Sequence, residues 1–109
     1  MKKIYLATPY TGTPEEQEQR FRAACLMAGK LMQDGHVVYS PIAHSHPISI
    51  ISNMPGNHDF WKEQNRGWLE WCDEVWVGRI PGWKESKGAK WEFDQAVKEG
   101  KDVGFVEAL

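Results

Sequence analysis

The sequence predicts a mixed α/β fold, one domain in which helices cover both faces of a mostly parallel sheet. Three observations carry this. Short apolar runs of strand character alternate with longer helical patterns, the order that right-handed crossovers produce. Turn and capping residues mark the changes from one pattern to the next. The 109 residues and 41% apolar content suffice for one modest core and no second one, so residues 1–109 are expected to form a single domain.

The first strand is expected over residues 3–7, where Lys-Ile-Tyr-Leu-Ala precedes the turn-rich Thr8-Pro9-Tyr10-Thr11-Gly12. Thr13-Pro14-Glu15-Glu16 announces a helix through a capping threonine, a proline at the first helical position and a carboxylate three residues after the cap. The stripe Phe21, Ala24, Cys25, Ala28, Leu31, Met32 keeps helical spacing as far as Gly35, giving about five turns. A second strand is expected over residues 36–40, stopped by Pro41. An irregular stretch over 42–56 follows, a length that points to a lid or binding loop. The next helix is expected to begin near Asn57, a good cap, and to run to Cys72 with Trp61, Trp68, Leu69 and Cys72 inward. Residues 74–78 read as a third strand. A helix from about Gly88 to Glu99, stopped by Gly100, and a strand over 103–106 complete the chain.

In open parallel sheets ligands bind beyond the carboxyl ends of the strands, near the point where strand order reverses. That rule gathers three loops, residues 8–12, 41–56 and 79–88. Bulk properties narrow the partners. A formal charge of -2 with acids and bases interspersed forms no basic stripe, so polymeric nucleic acid is not an expected partner. The apolar run after Met1-Lys2-Lys3 is too short for a signal peptide and nothing later approaches a membrane span, so a cytoplasmic protein is expected. Cys25 and Cys72 read as buried free thiols. Six tryptophans, Trp61, Trp68, Trp71, Trp76, Trp83 and Trp91, lie in the second half, as core, interface or walls for a planar ligand.

Candidate chemistry concentrates in the last helix. Ser86 can cap it and Gly88 lets its backbone approach a ligand, the outline of an anion cradle, although an ordinary N-cap has the same signature. Glu92 shares the inward face of Ala89, Phe93, Ala96 and Val97, and a carboxylate there needs a reason. It is either an acid satisfied by Tyr5 or a backbone amide, or an acid kept for chemistry. Asn65 falls on the apolar stripe of the preceding helix, as a core amide or a ligand contact. His44-Ser45-His46, with His58-Asp59 beyond, offers no firm third ligand or second shell; no metal is expected, and one of these histidines is expected to line the pocket. Lys84, Lys87, Lys90, Lys98 and Lys101 read mostly as solvated, with Lys84 and Lys87 near the cradle.

Ile4-Tyr5-Leu6-Ala7, Cys72-Asp73-Glu74-Val75-Trp76-Val77 and Ser86-x-Gly88-x-x-x-Glu92 together resemble the nucleoside 2-deoxyribosyltransferase superfamily. Within it, Ala7-Thr8-Pro9-Tyr10, Ser45-His46-Pro47-Ile48 and Ile80-Pro81-Gly82-Trp83 resemble the DUF1937 subgroup, and the likeness covers nearly the whole chain. The resemblance implies a flavodoxin-like or Rossmann-like three-layer sandwich with a mostly parallel sheet of four or five strands. It implies cleavage of an N-glycosidic bond without a cofactor, Glu92 attacking the anomeric carbon and Tyr5 orienting it. Ser86 and Gly88 would take the 5′-phosphate, and Thr8, Pro9, Tyr10 and His46 would lie against the ligand. Serine at position 86 resembles the branch that hydrolyses deoxynucleoside 5′-monophosphates, whereas transferases exchanging bases tend to carry aspartate there. Where the superfamily usually has an acid assisting departure of the base, this chain has Asn65, which cannot give a proton, so Asp59 or a loop histidine would substitute, or the protein would bind nucleotides without turnover. A small-molecule nucleoside or nucleotide is the expected partner, in a homodimer or larger homo-oligomer.

Overall fold

The computed structural model of the chain describes residues 2–54 and 58–108. β1 (Lys3–Ala7) runs into α1 (Pro14–Gln33), whose start is the expected capping box: the Thr13 side chain accepts from the Glu16 amide and the Glu16 side chain accepts from the Thr13 amide. Gly35, at φ 97°, takes the left-handed stop that follows α1. β2 (Val37–Tyr39) is followed without a loop by α2 (Pro41–Ile51), then α3 (His58–Trp71), β3 (Glu74–Arg79), α4 (Lys87–Lys98) and β4 (Asp102–Glu107). The expected cap at Asn57 lies outside the described residues.

The four strands form one parallel sheet in the order β2-β1-β3-β4, with Tyr5 opposite Tyr39 on one side and Val75 on the other. Connections leave β1 in opposite directions, so the reversal of strand order falls between β1 and β3. Alternation along β1 divides the core. Leu6 packs with Met27, Ala28 and Leu31 of α1, whereas Tyr5 and Ala7 pack with Leu69 of α3 and Ala89 and Ala96 of α4. The result is the expected three-layer α/β sandwich, with four strands among the described residues.

The helix α2 corrects the irregular stretch expected over 42–56. Ser40-Pro41 repeats the Thr13-Pro14 signal, and the Ser40 side chain accepts from the Ala43 amide at 3.2 Å. Pro47 sits inside this helix, where it removes one donor without ending the run. Four side chains placed inward by periodicity are exposed instead: Cys25, Met32 and Val97, the last two more than half exposed, and Trp68 of α3. Each lies at the margin of its apolar stripe, and α1 buries Met27 where Cys25 and Met32 were expected. Cys72 is buried as expected.

Candidate functional site

Strand alternation turns Tyr5 toward α4, where it is wholly buried at the centre of the sheet. The spacing Ala89, Glu92, Ala96 sets Glu92 on the same inward face of α4, and only 5% of it is exposed. The Tyr5 hydroxyl donates to Glu92 Oε2. Of the two partners open to this acid, the structure uses the tyrosine. Burial pushes the Glu92 carboxyl up to about 8, and the bond from Tyr5 holds it back from rising further. Burial and the neighbouring carboxyl push the Tyr5 phenol well above its ordinary range.

Ser86 caps α4, its hydroxyl accepting from the Ala89 amide at 3.1 Å. The first-turn amides of Lys87 and Gly88 have no intrahelical acceptor, so they point at whatever lies before the helix. A Cβ built on Gly88 would meet nothing nearer than Ser86 Oγ at 4.0 Å, so packing does not explain the glycine and the space in front of it is open. Beside this helix start, Lys62 Nζ and the Arg66 guanidinium of α3 lie 5.4 and 5.5 Å from the centre of the Trp91 ring. Lys84 is 5.7 Å from the Trp83 ring, in a separate hollow of the loop after β3. Lys101 departs from its expected solvated role: its ammonium donates to the carbonyls of Leu69, Glu70 and Cys72 at the end of α3.

Two further candidates carry buried acceptors without a partner among the described residues. Thr8, just past the end of β1, is 3% exposed with Oγ1 unbonded, and Asn65 of α3 has its Oδ1 buried and unbonded. Pro9 is buried behind Thr8. Tyr10 and His46 meet elsewhere: His46 Nδ1 lies 2.6 Å from the Tyr10 hydroxyl and Nε2 lies 3.0 Å from Glu18, with the ring packed on Phe21. Both nitrogens of this buried imidazole are engaged, so it ties the loop after β1 to α1 and α2. Arg20 donates to the Thr11 carbonyl and holds the same loop. Asp59 is exposed on the first turn of α3, and the side chain of His58 lies outside the described residues. Among the described residues no three potential ligands gather around a metal position.

Sequence reasoning missed the aromatic cleft beside Glu92. Tyr39 stacks on Trp68 with ring centres 4.3 Å apart and planes 13° from parallel, and it also neighbours Tyr5 at 5.7 Å. Tyr39 and Trp68, with His44, Ile48, Trp61 and Gln64, line a hollow of about 160 Å³. The parallel register that sets Tyr39 against Tyr5 creates it, and no local pattern announces that register. Burial pushes the Tyr39 phenol up, so its proton stays in place through the neutral range. The buried Glu92 carboxyl is thus linked through Tyr5 to Tyr39, a ring of the cleft wall.

No helix among the described residues is long and apolar enough to cross a membrane. A family model described as a domain of unknown function (DUF1937) matches residues 2–108. No curated protein matches the chain.

Proposed function

We propose that this chain, which belongs to the DUF1937 family, hydrolyses the N-glycosidic bond of a (deoxy)nucleoside 5′-monophosphate through Glu92 as nucleophile. The observation that carries this reading is the Tyr5–Glu92 pair, a buried carboxyl oriented by a phenol at the heart of the sheet. Burying a carboxylate is costly and an apolar side chain would fill the position at less cost, which favours an acid kept for chemistry. Tyr5 and Glu92, which meet here, are among the residues that bear the likeness to nucleoside 2-deoxyribosyltransferases.

In this reading the phosphate lies before α4, held by the Lys87 and Gly88 amides, the Ser86 hydroxyl and the helix dipole. The base stacks in the aromatic cleft. Glu92, as its carboxylate, attacks the anomeric carbon as the base leaves, and water then cleaves the glycosyl ester. Incubation with a panel of nucleoside monophosphates, followed by chromatography of the free base, tests it. Base release undiminished in Glu92→Ala would remove the mechanism. Transfer of the sugar to a second base would identify the base-exchange variant of the same chemistry.

One observation favours a second reading, a nucleotide-binding protein without turnover. Asn65 supplies an unbonded acceptor where the resemblance leads one to expect an acid. Thermal stabilisation by nucleotides with no product formed supports that reading. The homo-oligomer implied by the resemblance belongs to the proposal too, and sedimentation of the purified chain measures it.

A further inference from the structure

The cleft wall offers a proton where Asn65 cannot. Among the described histidines, His46 is buried with both nitrogens engaged, and His36 precedes β2 at the opposite end of the sheet, packed on Trp76. Among the described histidine side chains, His44 is the one that lines the cleft. It projects from the first turn of α2, exposed, with its ring 5.5 Å from Tyr39 and 5.8 Å from Trp68, the two stacked rings of the wall. Its Nδ1 lies 3.4 Å from the Tyr39 hydroxyl and 3.4 Å from Ser45 Oγ. Tyr39 in turn neighbours Tyr5, which holds Glu92, so one aromatic ring separates the imidazole from the Tyr5–Glu92 pair. Asp59, the other candidate acid, does not line this cleft.

We propose that His44 is the general acid of the reaction, a catalytic residue that protonates the departing base in the aromatic cleft while Glu92 attacks from the sugar side. The inference rests on the N-glycosidase reading above and names the proton donor that reading lacks. Histidine is the side chain that exchanges protons most readily near neutrality. As imidazolium, His44 donates from Nδ1 to the Tyr39 hydroxyl oxygen and from Nε2 to a ring nitrogen of the base. A Glu92 carboxylate oxygen bonds to the anomeric carbon, and the C–N bond breaks with its electron pair passing to the base. The His44 proton neutralises the base, leaving a neutral imidazole with its remaining proton on Nδ1. Water then attacks the anomeric carbon, its proton passes to His44 Nε2, and the ester bond breaks to restore the Glu92 carboxylate. The sum is nucleotide plus water giving sugar phosphate plus free base.

A leaving group that needs no proton separates this role from a structural one. The probes are the four natural 2′-deoxynucleoside 5′-monophosphates and N7-methyl-2′-deoxyguanosine 5′-monophosphate, whose cationic base departs neutral without protonation. In His44→Gln, kcat/KM on the best natural substrate falls about 100-fold, while that on the N7-methyl substrate changes by less than about threefold. Because His44 is exposed, the variant is expected to unfold at the wild-type temperature, which is measured alongside. Equal losses on both substrates, or no loss on the natural one, overturn the assignment of His44. Glu92→Gln distinguishes the reading beneath it: turnover of the N7-methyl substrate that survives this change overturns Glu92 as nucleophile and leaves the His44 comparison standing. Release of no base from any of the five by the wild-type protein overturns both.

Discussion

Tyr5 and Glu92, 87 residues apart in sequence, share one hydrogen bond inside the sheet-to-helix interface, and the bond is the hinge of the site's electrostatics. Burial disfavours the Glu92 anion and the phenol partly relieves it. In Tyr5→Phe that relief is gone, so the Glu92 carboxyl titrates higher still. The expected result is a pH profile of kcat/KM whose rising limb moves to higher pH, with a stability loss of about 1 to 3 kcal/mol. An unmoved limb would show that the phenol does not tune the acid.

Glu92 also makes folding stability depend on pH. Its folded value, about 8, lies above the ordinary 4.5, so below pH 4.5 both states hold the proton and it imposes no pH-dependent loss. Between these limits the unfolded chain gives up the proton while the folded chain keeps it, and stability falls as pH rises. Above about 8 the loss levels off. Urea unfolding of the wild type from pH 5 to 9 should show this decline, on the order of several kcal/mol, and Glu92→Gln should flatten it. The same change abolishes base release under the proposed mechanism. A decline of equal size in both proteins would place its cause elsewhere.

Ser86 has a structural and a ligand role that one variant separates. Ser86→Ala removes the cap of α4 and is expected to cost about 1 kcal/mol. If the hydroxyl also meets the phosphate, KM for a nucleoside 5′-monophosphate rises about tenfold or more while that for the free nucleoside does not. Equal effects on both would confine Ser86 to capping.

His46 is expected to matter for stability. His46→Leu leaves the Tyr10 hydroxyl and Glu18 without the imidazole that joins them, at a cost of about 2 kcal/mol in urea unfolding. The loop carrying Thr8 should become more open to proteolysis. A variant as stable as the wild type would mean that the Glu18–His46–Tyr10 contacts do not hold the loop.

Much of the fold was legible because its signals are local. The capping box at Thr13, the proline at position 14 and the left-handed glycine at position 35 each act within one helical turn, and all stand where expected. The signal for α2 was equally local, Ser40-Pro41, yet Pro41 read as the stop of the second strand and the stretch after it, which contains Pro47, as irregular. A single interior proline costs a helix one bond and some crowding, which neighbouring packing can offset. Stripe margins misled for a related reason. At 100° per residue, Cys25, Met32 and Val97 sit where a small rotation of the helix decides between core and solvent, and only the partner surface sets that rotation.

The sequence by itself determined that Glu92 faces inward, that Ser86 starts its helix and that Asn65 shares the stripe of α3, because helical and strand periods follow from backbone geometry. The tertiary structure alone decided that Tyr5 is the partner of Glu92, that Tyr39 and Trp68 stack into a cleft, that His44 stands in it and that Lys101 closes α3. Those meetings depend on strand order and parallel register. Both are set by how whole faces bury together, a cooperative choice that no short window of residues contains.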